Sequence, residues 1–101
     1  MNLLTDLIED WARNKELDQA EPEKQMLKLM EEVGELAQGL AKDNLDQVVD
    51  SIGDVYVVLT ILSMQLGLDI RECVEEAYEE IKGRQGRMVN GVFVKQEDLH
   101  D

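Results

Sequence analysis

The sequence predicts an all-α fold. It reads as a helical bundle of about four helices, two of them long, central, antiparallel and acid-bearing, followed by a short β-hairpin-like tail. Three observations predict it. Met26, Leu29, Met30, Val33, Leu36, Ala37 and Leu40 recur at the i, i+3, i+4, i+7 spacing of a helix with one apolar stripe. One Trp, two Tyr and one Phe against five Met indicate an aliphatic core. The single proline, Pro22, falls where a helix begins, and a missing N–H costs nothing there. With 101 residues the chain has material for one domain, 1–101, and one core.

Leu3, Leu4, Leu7, Ile8 and Trp11 mark a short amphipathic first helix, with Asn2 as its cap. The polar run Asn14 to Glu21 is a loop. The second helix starts at Pro22 and runs to about Lys42, where Asp43 or Asn44 breaks it and recaps the next. The third extends from about Leu45 to Leu66. From Val55 its apolar residues cover the whole circumference, the mark of a helix buried on all sides. It reads as too short, and too interrupted by Asp50, Asp54 and Gln65, to span a membrane. Gly67 ends it. Asp69 caps the fourth helix, with Glu72 completing a capping-box pattern, and Ile70, Cys73, Val74, Ala77, Tyr78 and Ile81 form its core stripe. Cys73 is expected to be a small core residue. Gly83 stops this helix. In the tail, 82–95, Asn90-Gly91 supplies the positive φ angles of a type I′ hairpin turn.

A net charge of −13 speaks against nucleic acid and anionic membranes as partners. One cysteine excludes an internal disulfide framework and a Cys-based zinc site. The N-terminal stretch carries acids where a signal peptide needs a basic flank, so cytoplasmic is the expected location.

The chemistry lies in the acids. Glu32 and Glu35 are one turn apart beside the apolar stripe of the second helix, with Lys28 between them in angle and Glu31 further toward solvent. Such a pair can share a metal ion or can belong to a solvated acidic face. Asp50 and Asp54 stand about 40° apart on the most apolar helix. Dipole complementation explains Asp46, but it explains Asp54 poorly, some three turns in. An ionised carboxylate on a buried helix needs a cation or a proton. Glu32, Glu35, Asp50 and Asp54 therefore form a possible all-oxygen set, which suits Mg²⁺ or Mn²⁺. The only histidine, His100, lies in the tail. Lys82, Arg84 and Arg87 make a basic island in this acidic chain. It reads as a phosphate clamp or, for Lys82, as charge complementing a helix C-terminus.

The runs KLMEEVGELAQGLAK, DSIGDVYVVL and EEAYEEIKGRQGRMVNGVFVK resemble the MazG-like nucleotide pyrophosphohydrolases, all-α NTP pyrophosphatases, and most of all their small phage and bacterial single-domain kind. The similarity covers about Trp11 to Lys95. The resemblance implies Mg²⁺-dependent cleavage of nucleoside triphosphates between the α and β phosphates, giving a monophosphate and pyrophosphate. It implies metal ligation by Glu32, Glu35 and Asp54, and assembly as a homodimer or homotetramer. The family's fourth ligand, the glutamate of an ExxD on the third helix, falls here at Ser51. Asp50 is the available substitute. One of the outer carboxylates, such as Glu31 acting through water, joins the catalytic set as proton acceptor, and the sequence does not choose among them. Lys28, Lys82, Arg84, Arg87, Asn90 and Trp11 form the substrate-binding set, with Lys28 read alternatively as the partner of Glu32 and Trp11 as a core or interface residue. Two rival readings are a degenerate relative that binds nucleotide or protein without turnover, and a dUTP- or dCTP-specific pyrophosphatase of the same architecture.

Overall fold

The computed structural model describes residues 2–99, with side chains from Leu3 onward; His100 and the cap expected of the Asn2 side chain lie outside that description. The protein is all-α, with four helices followed by a two-stranded antiparallel hairpin. The helices are α1 (Asn2–Asn14), α2 (Pro22–Ala41), α3 (Leu45–Gln65) and α4 (Ile70–Lys82); the strands are β1 (Gly86–Val89) and β2 (Val92–Lys95). Contacts divide the chain after Arg71 into two segments.

Helix ends follow local chemistry. Pro22 occupies the first turn of α2. Asp43, at φ 54°, closes α2 with a Schellman motif: Asn44 N–H donates to Gly39 C=O at 2.9 Å and Asp43 N–H to Leu40 C=O at 3.3 Å. Asn44 then caps α3, its side chain accepting from Gln47 N–H at 3.2 Å. Gly67, at φ 73°, closes α3 the same way, with Leu68 N–H donating to Ser63 C=O at 2.8 Å. The Asp69 carboxylate accepts from Arg71 N–H at 2.9 Å at the start of α4. That bond, with the Arg71 side chain, holds the Asp69 carboxyl below its ordinary value. The loop expected over Asn14 to Glu21 contains a 3-10 turn, Leu17–Gln19, whose Leu17 carbonyl accepts from Gln65 Nε2 at 2.9 Å.

In the first segment α2 and α3 run antiparallel. Gln47 reaches Glu35 and Gln38, while Gln25 reaches the Val58 carbonyl, so residue numbers fall on one helix as they rise on the other. Helix α1 is pinned to α3 by Thr5 Oγ1 and the Tyr56 hydroxyl, 2.7 Å apart. Arg71 adds ion pairs to Asp6, Glu9 and Asp69.

Two packing expectations, for α2 and α4, are corrected. The face of α2 turned inward holds Gln25, Leu29, Glu32, Leu36 and Gly39, while Met26, Met30, Val33 and Leu40 are exposed. The apolar arc is wider than the surface α3 covers, and the packed edge of it is the edge that carries Glu32. From Val55 to Gln65 α3 has no exposed residue, as its apolar circumference predicts, with Val58, Thr60, Ile61 and Ser63 buried; the exposed Val49 and Ile52 lie before that stretch. On α4 only Ile70 is buried; Cys73, Val74, Tyr78 and Ile81 are exposed, so Cys73 is not a core residue. Nor does shortness keep α3 out of a bilayer. At 21 residues, with a mean hydropathy of 1.4 over its apolar window, it is long and apolar enough to cross one. What speaks against a span is the placement of Asp50 and Asp54 within it and its packing on α2.

The second segment holds most of α4 and the hairpin. Val89 faces Val92 across a two-residue turn, with Asn90 at φ 51° and Gly91 at φ 81°, the type I′ geometry expected. Gly86 has no room for a side chain: a Cβ there would collide with the Val94 carbonyl oxygen and stand 2.7 Å from Phe93 Cζ. Gly86→Ala is therefore expected to open the first strand pair. Amide exchange at Gln96, whose N–H donates to Gln85 C=O at 2.7 Å, should accelerate while far-UV helix signal stays constant. Unchanged exchange would mean that the strands absorb the methyl group.

Candidate metal centre

Glu32 and Glu35 project from neighbouring turns of α2, and Asp54 comes from the middle of α3. One carboxylate oxygen from each lies within 4.8 Å of the others. Burial is graded across the three: Glu32 is 5% exposed, Asp54 half-buried and Glu35 exposed. Glu32 is placed inward because it follows Gln25 and Leu29 on the packed face of α2 and precedes Leu36 and Gly39 there. Small residues let the helices meet nearby. Gly39 abuts Val48 and Gln47, and Ser51 is 1% exposed.

The three acids are held together against their mutual repulsion. Glu32 raises the pKa of the Glu35 carboxyl above its ordinary value, with burial adding to the effect. Burial is the first cause of the raised Asp54 pKa, followed by the charges of Asp50 and Glu32. Lys28 offsets part of this charge. Its Nζ lies 3.3 Å from Glu32 and 3.8 Å from Glu31, and the hydrogen bond to Glu32 raises its own pKa. That leaves Glu32 Oε2, buried and without a hydrogen-bond partner among the described residues. An orphaned oxygen on a carboxylate clustered with two further acids can be satisfied by a proton or by a cation. Hard oxygen donors from two packed helices fit Mg²⁺ or Mn²⁺, which bind through a few carboxylates and leave positions open.

The raised Asp54 pKa fixes a sign. A carboxyl that ionises less readily folded than unfolded favours the folded state while protonated, and that advantage is lost as pH rises through its folded pKa. In chelator, Asp54→Asn should gain melting temperature over the parent at neutral pH. The gain should vanish as pH falls toward the ordinary value of 3.8. A gain independent of pH would show that Asp54 is not strained by its charge.

The other expected site residues are placed as follows. Asp50 neighbours Asp54 but is not one of the three that converge. Ser51 is buried in the packed layer of α3 and offers no carboxylate. Glu31 is exposed. Trp11, 51% exposed, lines an apolar cleft of about 930 Å³ between α1 and α3, whose α3 wall includes Asp50, Gly53 and Asp54. In the second segment Lys82 pairs with Glu79 at 2.7 Å and Arg84 with Glu80 at 3.4 Å. Arg87 faces Val94 across the hairpin and Asn90 forms its turn. The cleft went unforeseen in the sequence. Its α1 wall, Leu4, Leu7, Ile8 and Trp11, reads as an ordinary apolar stripe.

The sequence matches the MazG-like family over residues 16–91, which takes in the three converging acids, Ser51 and the basic island. The chain belongs to the MazG-like family. That is a family of nucleotide pyrophosphatase type. Trp11 and the whole of α1 lie outside the matched residues. An uncharacterized 18.2 kDa protein from the rep-hol intergenic region of Haemophilus phage HP1 is 49% identical over 63 residues, 61% of this MazG-like chain. The chain spans only 39% of that relative's length. No solved structure matches.

Proposed function

We propose that the protein is a Mg²⁺-dependent nucleoside triphosphate pyrophosphohydrolase that cuts between the α and β phosphates. The observation that carries the reading is the convergence of Glu32, Glu35 and Asp54, one of which, Glu32, also has an orphaned buried oxygen. Membership of the MazG-like family supports the reaction class.

In this reading Glu32, Glu35 and Asp54 hold the ion, with Asp50 beside Asp54 as a further acid. Mg²⁺ bound there supplies charge neutralisation to the triphosphate oxygens and lowers the pKa of the attacking water. Glu31, exposed and one residue from Glu32, accepts the proton of that water as its oxygen attacks the α phosphorus. The bond from the α phosphorus to the bridging oxygen breaks, and pyrophosphate leaves with the electron pair. Lys28 holds Glu32 while the site is empty of substrate and is near enough to the acids to turn to phosphate. The cations that the chain offers to the distal phosphates are Lys82, Arg84 and Arg87, with Asn90 beside them in sequence. The base enters the apolar cleft against Trp11. The protein works in the cytoplasm as a house-cleaner of nucleotide pools. A second copy covers the exposed apolar arc of α2, an expectation checked by sedimentation.

The test is product analysis with each canonical ribo- and deoxynucleoside triphosphate, with Mg²⁺ and with chelator. Monophosphate plus pyrophosphate, lost in chelator, is expected. Diphosphate plus orthophosphate, or full activity in chelator, would overturn the reading. One observation favours a second reading: the buried Ser51 leaves the family's fourth carboxylate position empty of charge. A nucleotide-binding module without turnover would show saturable nucleotide binding and no product. The basic residues are tested separately. Arg84→Ala and Arg87→Ala are each expected to raise KM about tenfold with helix signal intact, the loss of one charge-assisted contact of about 1.5 kcal/mol. Normal kinetics per folded molecule would make the island structural.

A further inference from the structure

Gln47 stands in the first turn of α3 and bridges to α2 through the amide nitrogen of its carboxamide. Its Nε2 donates to the backbone carbonyl of Glu35 at 2.8 Å and to Gln38 Oε1 at 3.1 Å. Its Oε1 accepts from Asn44 Nδ2 at 3.4 Å, and its own N–H is held by the Asn44 cap at 3.2 Å. The stem is fixed as well, since its Cβ and Cγ would lie 3.3 and 3.2 Å from a Cβ placed on Gly39. Helical bonding already uses one lone pair of the Glu35 carbonyl, so the amide of Gln47 takes the second. The bond adds nothing that α2 needs for itself. It ties one acid-bearing peptide unit to the helix that carries Asp54.

We infer that Gln47 is a positioning residue for the metal centre, clasping the Glu35 backbone to α3 so that Glu35 and Glu32 stay in register with Asp54. The inference rests on the metal reading proposed above. Three carboxylates on two helices push those helices apart or along one another, and the tolerance is small. A slide of one helical turn, about 5.4 Å, exceeds the 4.8 Å that contains the three oxygens. Neutral amide bonds suit the task, because a cation in this place would compete for the acids and a further acid would add to the repulsion. The clasp is local to the centre: Gln47 and Asp54 share one helix two turns apart, and Glu35 is itself one of the three acids.

The experiment is Mn²⁺ binding to the full chain, read by paramagnetic titration with no substrate present. Gln47→Met keeps the stem against Gly39 and removes both polar ends; Gln47→Leu repeats the change with a different shape. Gln65→Met is the control, because Gln65 makes a comparable amide-to-carbonyl bond, to Leu17, at the far end of α3. Both Gln47 variants should bind Mn²⁺ about tenfold more weakly, the usual effect of losing a group that orients a ligand. Gln65→Met should lose melting temperature to a similar degree and keep the parent's affinity. Parent-like affinity in a folded Gln47 variant would overturn the inference and leave the metal reading standing. Equal weakening in Gln65→Met would overturn it too, since general loosening would then suffice. No Mn²⁺ binding by the parent would bring down the metal reading and the inference together.

Discussion

Asp54→Asn is expected to abolish turnover and, in the same molecule, to remove the stabilisation that Mg²⁺ gives. Asp54 is the one member of the acid triad supplied by α3, so without its charge no ion is shared between the two helices. Loss of a ligand exceeds loss of a group that supports one, so activity should fall by at least about a hundredfold. The stability arm is independent of substrate. At a concentration of 100 times Kd, an ion that binds only the folded chain contributes about 2.7 kcal/mol, which raises the melting temperature of a domain this size by on the order of 10 °C. The parent should show that rise and Asp54→Asn only a small part of it. In chelator the order reverses. The variant melts at or above the parent at neutral pH, because the charges of Glu32 and Asp50 no longer face a third carboxylate. Equal Mg²⁺ shifts in both proteins would show that Asp54 holds no metal.

How far the sequence reached depends on what each signal reports. Helix boundaries were legible because single residues decide them. Pro22 opens α2, Asn44 caps α3, and Gly67 with its left-handed φ closes α3. The hairpin turn was legible for the same reason, in Asn90-Gly91. The helix pair that brings Glu32, Glu35 and Asp54 together follows from two long helices joined by a short loop. What periodicity could not settle was which edge of a wide apolar arc is packed. Met26, Leu29, Met30, Val33 and Leu36 all satisfy the helical period, yet only Leu29 and Leu36 lie on the face that also buries Glu32. The direction of an apolar stripe is set by the partner that covers it, and in α2 much of the stripe has no cover within the chain. Cys73 shows the same thing on α4, an apolar position left exposed. The clasp at Gln47 was invisible for a different reason: a glutamine near a helix start reads as a polar surface residue until its amide is seen to reach the neighbouring helix.

Lys28→Met is expected to act in the opposite sense to Asp54→Asn, and the contrast tests the electrostatics of the whole site. Lys28 is the cation that the chain itself places against Glu32, 3.3 Å from a side chain only 7% exposed. Methionine keeps the length of the stem and removes the charge, so packing along α2 changes little. In chelator the variant then holds a buried carboxylate beside Glu35 and Asp54 with no countercharge, and its melting temperature should fall below the parent's. Mg²⁺ should recover most of that loss, because the ion supplies the missing charge at the same oxygens, and the Mg²⁺ shift should exceed the parent's. The double variant Lys28→Met, Glu32→Gln separates charge from packing. With the carboxylate neutral there is nothing left for Lys28 to offset, and the fall in chelator should be largely reversed. A fall that persists in the double variant and ignores Mg²⁺ would assign Lys28 to packing alone. A normal Mg²⁺ response with a raised KM would instead assign it to the phosphates of the substrate.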